Sequence, residues 1–492
     1  MSRKRLIVIT VGVMLSLFVA SVEGTVVATA MPTIVAQLGG LAAYSWVFSA
    51  YMLASTTTVP IYGKLSDLYG RRPVYGVAMA LFLAGSILCG RAGSMPALIA
   101  ARALQGLGAG GLMPLAFTII GDLFTLEERA RIQGLFSSVW GVSSIIGPLL
   151  GGFLVDRISW RWVFYFNLGP GLLAWLLVWV AWRDRERRTE TGRPAIDYAG
   201  AVLLSAGVVA LLLGLFELGT PISGGLLGLA AVLLAALAWV ERRAVDPLLP
   251  LPLFRNRLFA VACAHGLLAG CAMFGGINYI PLFVQSVLGA SATLAGATLT
   301  PQSLAWVIAS LFSSRLLLRV TSRSLALAGM VLLTAGMVAM LGLSTATHEL
   351  WLMVDLGLMG VGMGLAYPAF LIAVQSSVSK ATLGAATSTL QFSRSIGGAL
   401  GVSIMGAVLS ARLSGNLQAT GIDPGSVSLA RLLDPVASAA QTGLDGAVRV
   451  ALAGAIRDIF FVAVAASLLG LLVTTLGPRE RLASTPSVSV EL

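Results

Sequence analysis

Apolar residues run along this chain in long blocks, and the polar positions between them fall in short stretches rich in glycine, proline and charge. Setting blocks against breakers predicts helices near 6–30, 44–66, 73–91, 96–121, 132–155, 162–182, 196–217, 222–240, 258–284, 293–315, 325–345, 350–376, 384–410 and 457–477. A run of about 18 or more apolar residues is long enough to cross a hydrocarbon core about 30 Å thick. Open sheets are excluded at such positions, because lipid offers no partner to the backbone groups along a sheet edge. The pattern therefore predicts an all-α polytopic membrane protein of fourteen spans. One stretch has a different pattern. Residues 411–456 mix charge with apolar positions in "VSLARLLDPVASAAQ" and "GLDGAVRVALAGAIRDIF", which reads as amphipathic helix covering the outer surface, with a lid or docking role as the alternative.

Composition sharpens this class without changing it. The 492 residues are 57% hydrophobic and 11% charged, with a mean hydropathy of +0.91, against about 25% charged residues in soluble domains. A net charge of +11 would suit nucleic acid, but no basic stripe is interleaved with aromatics, so no nucleic-acid partner is expected. The basic residues sit instead in alternate short loops. These hold Arg3, Lys4 and Arg5; Lys64, Arg71 and Arg72; Arg129 and Arg131; and the Arg183–Arg193 cluster. Further along they hold Arg242, Arg243, Arg255 and Arg257, then Arg315, Arg319 and Arg323, then Lys380, and last Arg479 and Arg481. Outside 411–456, the opposite loops hold only Arg91, Arg157 and Arg161. Lys and Arg collect on the cytoplasmic side of membrane proteins, so both termini are expected in the cytoplasm. The basic opening "MSRKR" and its apolar run show no small-residue cleavage site and read as the first span.

Several chemistries are absent from the pattern. Cys89, Cys263 and Cys271 all lie within predicted spans and make no spaced disulfide framework. His265 and His348 are too few and too isolated for a metal site. No HExxH, Walker loop or nucleophile elbow occurs. Neither metal nor cofactor is expected.

The loop "GKLSDLYGRRP", Gly63 to Pro73, packs four charged side chains, two glycines and a proline between two spans. Glycine permits a tight reversal, and Asp67 can pair with the arginines or with a helix end. Asp122, at the inner end of the fourth predicted span, offers Arg71 or Arg72 a second partner. Gly63, Asp67, Gly70, Arg71, Arg72 and Asp122 are therefore candidates for a conformational gate. Such a gate would hold the cytoplasmic helix ends together in one state and free them in another.

This loop resembles the G-x-L-x-D-x-x-G-R-R loop of the major facilitator superfamily. "RALQGLGAGG" (Arg102 to Gly111) is similar to that superfamily's fourth-helix motif, and "GVSSIIGPLLGG" (Gly141 to Gly152) to the fifth-helix motif of its antiporters. "VEGTVVATAMPTI" (Val22 to Ile34) resembles the first-helix motif of the fourteen-span drug:proton antiporters, the EmrB/QacA-like branch, with Glu23 where that branch commonly has Asp. "SSRLLLRVTSRS" (Ser313 to Ser324) keeps the basic residues of the opening loop but not its glycines or aspartate, a faint internal echo. The resemblance implies a major facilitator fold of two six-helix bundles with two extra central helices. Boundaries follow at 1–193 for the first bundle, 194–257 for the extra spans and linker, 258–478 for the second bundle with its extracellular segment, and 479–492 for a cytoplasmic tail. Gly141, Gly147, Pro148, Gly151 and Gly152 would strip side chains from one face of the fifth helix and bend it, sealing a path against proton leak or simply packing.

Charges within spans are costly and call for a reason. Here they are Glu23, Arg102, Asp355 and Arg394, with Gln391 one turn before the last and Glu217 near an outer end. At 1.5 Å per residue, Glu23, Arg102 and Asp355 each lie roughly 10 Å below the outer surface, which suggests one shared polar cavity. Glu23 is the candidate for proton coupling, since an acid between an apolar cavity and a cation can gain and lose a proton. A static pair with Arg102 is the alternative. Asp355 is a second candidate, and Arg102 and Arg394 read as supporting groups. Tyr51, Trp140, Phe274, Tyr279, Trp306, Tyr367 and Phe370 are candidate cavity aromatics that would suit lipophilic cations.

The expected function is a proton-coupled multidrug efflux antiporter of a prokaryotic cytoplasmic (inner) membrane. It would export lipophilic, chiefly cationic compounds by alternating access, as a monomer, with protons and the lipid bilayer as its other partners. Export of an endogenous metabolite or lipid is the alternative within transport. A membrane-embedded enzyme or scaffold is the remote one, for which no catalytic constellation or sizeable soluble domain is present.

Overall fold

The computed structural model describes residues 3–38, 44–182, 198–216, 218, 220–243, 251–290, 292–317, 319–379, 382–419 and 444–479. The Arg183–Arg193 cluster, Glu217, Lys380 and residues 420–443 and 480–492 lie outside them. The first half comprises α1 (Arg3–Leu38), α2 (Tyr44–Tyr69), α3 (Arg71–Arg91), α4 (Met95–Leu123), α5 (Leu126–Arg157), the single turn α6 (Trp162–Tyr165) and α7 (Leu168–Ala181). The pair α8 (Tyr198–Phe216) and α9 (Pro221–Glu241) follows. The second half comprises α10 (Arg257–Ile277), the short α11 (Ile280–Leu282), α12 (Ala292–Leu316), α13 (Ser322–Ala339), α14 (Glu349–Ser377), α15 (Leu383–Ala419) and α16 (Leu444–Thr475). No strand occurs among the described residues.

Local chemistry sets the helix ends. Thr125 and Glu128 form a reciprocal capping box that starts α5. Ser94 accepts from the Ala97 amide with Pro96 behind it, which starts α4. The joint between α2 and α3 is one residue, Gly70, at φ 98° and ψ 158°, a region essentially open to glycine alone. Gly70→Ala is expected to cost about 1–3 kcal/mol, read as a lower thermal midpoint of the detergent-solubilised protein. An unchanged midpoint would mean that the joint relaxes freely.

Among the described residues, eleven helices are long and apolar enough to cross a membrane. The chain is a multi-pass membrane protein. The expected count of fourteen is not reached on that measure, because α2, α5 and α8 fall outside it. The reason is compositional: α2 carries Ser55-Thr56-Thr57-Thr58 at its middle and Lys64 and Asp67 near its end, and α5 begins with Glu127, Glu128, Arg129 and Arg131. The apolar part of α8 is merely shorter.

The packing of the first half recurs in the second. In the first, α1 packs on α5 and α7, and α4 packs on α2 and α3. In the second, α10 packs on α15 and α16, and α14 packs on α12 and α13. The halves meet along two seams, α5 on α12 and α2 on α15. The extra pair α8–α9 lies beside the second seam, with Leu204, Val208 and Leu212 of α8 clustered with Leu53 of α2 and Ile396 of α15.

The stretch 411–456 departs from the sequence expectation at both flanks. Residues 411–419 are the last turns of α15, and 444–456 are the first turns of α16 rather than a separate surface helix. A 32-residue helix is about 48 Å long, so the mixed-charge turns project beyond a 30 Å core while remaining continuous with the span.

Candidate functional site

Three polar clusters lie within the bundle. The first is built around Glu23 on α1, which is 1% exposed. Arg102 of α4 donates from Nη1 to Glu23 Oε1 at 2.5 Å, and Asn167, at the start of α7, donates from Nδ2 to Glu23 Oε2. Arg102 also donates from Nε to the Val47 carbonyl at 3.2 Å and from Nη1 to Gln105 Oε1 at 2.7 Å. Its guanidinium lies over the Tyr51 ring, 4.1 Å from the centroid. Gln105 in turn donates to Ser86 Oγ at 2.8 Å. One carboxylate thus ties α1 to α4 and α7, and its cation reaches back to α2.

Counting depth brought Glu23 and Arg102 to one level, and the structure joins them. Asn167, Gln105 and Ser86 carry no charge and are not among the candidates that buried charge marks in the sequence. The available signal was polarity, since Asn167 is an amide in the apolar run "VFYFNLGPGLL" and Gln105 stands one turn after Arg102. Asp355 is not part of this cluster: it sits on α14 against Gly336 of α13, in the other half. One shared cavity for the three ionisable groups is therefore not what the fold builds, because equal depth says nothing about position around the bundle.

The second cluster lies between the halves. Arg394 of α15 stacks on Tyr367, 4.3 Å from the ring centroid, and faces Phe274 at 5.6 Å. Gln391 accepts from the Tyr367 hydroxyl at 2.8 Å and directs its amide to Met113 Sδ at 3.0 Å. Met113 belongs to α4, so this cluster spans both halves. Among the described residues no carboxylate pairs with Arg394, and its Nε has no hydrogen-bond partner. Of the candidate aromatics, Phe274, Trp306 and Tyr367 gather here, with Phe274 and Trp306 6.5 Å apart. Tyr51 belongs to the Glu23 cluster. Tyr279 bonds to the Val402 carbonyl, Phe370 packs edge-on against His265 in the core, and Trp140 of α5 is partly exposed. Tyr279 and Phe370 thus engage other partners than the two clusters.

The third cluster closes one end of the bundle. Arg71 pairs with Asp67 and, through Nε, with Asp122 Oδ2 at 2.9 Å. Arg72 takes neither carboxylate and stacks on Trp179 at 4.4 Å. Asp67 also accepts from the amides of Gly384 at 3.2 Å and Ala385 at 2.8 Å, in the first turn of α15. A carboxylate at a helix N-terminus satisfies amides that have no intrahelical partner and complements the helix dipole. Gly63 allows this approach, since a Cβ there would overlap the Ser388 hydroxyl. Gln375 adds a strand of contact from α14 to the Phe117 carbonyl of α4 at 3.5 Å. The two halves are therefore locked together at the Asp67 end.

The glycines of the fifth helix do not share one face. Gly141 looks onto Val307 of α12, Gly147 onto Thr25 of α1, and Gly152 onto open space. Gly151 is buried, and the side chain of Pro148 lies outside the described residues. Residues 141 and 147 are six positions apart, which turns them to different sides of a helix with 3.6 residues per turn. α5 consequently packs closely on both halves at once.

A family model of the Major Facilitator Superfamily matches residues 13–402. The chain belongs to that superfamily. It is 41% identical over 420 residues to the multidrug transporter protein MdtP of Bacillus subtilis, covering 84% of this chain and 77% of that one. It is 39% identical over 407 residues to multidrug resistance protein 3 of the same organism, covering 81% and 79%. The structure of the human organic anion transporter MFSD10 superposes with a TM-score of 0.64 at 15% identity, covering 96% of this chain and all of that one; it shows the shared fold alone. The protein is a transporter rather than an enzyme, and its substrates are small molecules handled within a membrane.

Proposed function

We propose that this transporter is a proton-coupled exporter of lipophilic compounds, with fourteen spans and both termini in the cytoplasm. The reading is supported most by Glu23, a carboxylate buried in the membrane region that links three helices of one half. A proton on Glu23 would remove the charge that Arg102 and Asn167 address, weaken those charge-assisted bonds and loosen α1 from α4 and α7. Access then switches as the halves rock about the α5–α12 and α2–α15 seams. With the Asp67 end cytoplasmic, the locked arrangement is the one closed toward the cytoplasm. The count of fourteen treats α2, α5 and α8 as spans because each packs alongside helices that qualify. The relatives' names, a multidrug transporter protein and a multidrug resistance protein, support transport of more than one drug.

Lipophilic cations are the first substrate class, as the acidic first-helix motif implies. Arg394 favours a second reading. An unpaired guanidinium between the halves, walled by Tyr367, Phe274 and Trp306, would take an anionic or strongly accepting group on a flat apolar body. Purified protein in liposomes with an imposed pH gradient separates these. Ethidium movement with reciprocal proton flux supports the cationic reading, and movement of an anionic dye of similar size supports the second. Movement of neither, in protein that binds a ligand, would favour a dedicated metabolite or lipid exporter.

A further inference from the structure

Asp355 belongs to none of the three clusters. It is 5% exposed, and its Oδ2 is buried without a hydrogen-bond partner. With Trp351, Val354, Leu358 and Val361 it lines a groove of about 390 Å³ along α14. These positions fall at −4, −1, +3 and +6 from Asp355, one stripe of the helix. The stripe reaches the bundle surface, where Val354 is 67% and Trp351 39% exposed. Asp355 is six residues from Glu349, the first residue of α14, so it lies about 9 Å along the helix from the end opposite the Asp67 lock. The groove is therefore open sideways, toward lipid, rather than toward the space between the halves.

A carboxylate in that position needs a proton or a cation, and among the described residues no Lys or Arg lines the groove. An apolar wall, an indole ring and one unpartnered carboxylate together match a single positive charge on an apolar body. A phospholipid amine fits less well, since its phosphate comes with it and nothing basic is there to receive it. We propose that the Asp355 groove binds lipophilic cations laterally from the membrane, as a site separate from the Arg394 cluster. Its existence does not depend on proton coupling or on the direction of transport.

The test uses the full chain in phosphatidylcholine nanodiscs and, as probe, a benzophenone bearing a trimethylammonium group, with crosslinks mapped by peptide mass spectrometry. Labelling of 351–361 is expected, falling at least ~10-fold in Asp355→Asn and by no more than a few-fold in Asp355→Glu. Leu358→Trp, which fills the groove and leaves the carboxylate in place, is expected to abolish it as well. The uncharged tert-butyl benzophenone should label wild type and Asp355→Asn weakly and equally. Equal cation labelling in wild type and Asp355→Asn overturns the proposal, as does a tert-butyl probe that labels as strongly as the cation. Loss of labelling when phosphatidylethanolamine replaces phosphatidylcholine would assign the groove to a lipid amine instead. Because labelling is read without any gradient, its outcome is independent of whether the liposome assay finds antiport.

Discussion

Glu23→Gln is expected to abolish gradient-driven dye exchange and its reciprocal proton flux, while ligand binding in the absence of a gradient persists. The glutamine keeps the shape of the side chain and an acceptor oxygen but can neither carry a charge nor release a proton. Its cost to the fold must be separated from its cost to coupling. Arg102 would be left buried with Gln105, the Val47 carbonyl and the Tyr51 ring as its remaining company. Removing one partner of a buried pair typically destabilises by about 3–5 kcal/mol. The double variant Glu23→Gln with Arg102→Gln removes the stranded cation, so stability should return toward wild type. If Glu23 moves the proton, transport stays absent in the double variant. If the pair is only a strut, transport returns with stability, and coupling must be sought elsewhere.

That experiment is aimed at a site only half legible in the sequence. Hydropathy marks a buried charge because the charge is expensive, so Glu23 and Arg102 stood out, and rise per residue gave them a common level. Uncharged polar side chains carry no such mark. Asn167, Gln105 and Ser86 complete the network, yet each alone is unremarkable in a span. Depth also lacks the second coordinate, position around the bundle, which is why Asp355 was grouped with residues it does not meet. The fold class was easier, since runs of apolar residues admit only helices, and breakers in the chain mark their ends. The partner of Asp67 was out of reach by sequence alone. It is a pair of backbone amides more than 300 positions away, and amides have no identity in a sequence.

Asp67→Ala is expected to open the end of the bundle that these amides close. The substitution removes two charge-assisted bonds to the first turn of α15 and leaves Arg71 with Asp122 as its carboxylate and the Ser66 hydroxyl beside it. Bonds to a charged group are worth about 1.5–3 kcal/mol each when buried. The Asp67 side chain is 8% exposed, and water entering the vacated site recovers part of that value, so a net loss of about 2 kcal/mol is expected, or a shift of ~30-fold toward the open arrangement. Spin labels at Tyr69→Cys on α2 and Ser379→Cys before α15 report that shift as a distance distribution. The native Cys89, Cys263 and Cys271 are all buried and should remain unlabelled. The wild type should give a short, narrow distribution, and Asp67→Ala a longer and broader one. Gly63→Leu reaches the same state by a different cause, because its side chain would overlap Ser388 and the seam cannot close even with Asp67 intact. Both variants should reduce transport at least ~10-fold, since an exporter must shut this end before it can release at the other. Unchanged distances in both would mean that the α2–α15 seam holds without Asp67, and that the lock lies in Gln375 and the α5–α12 packing instead.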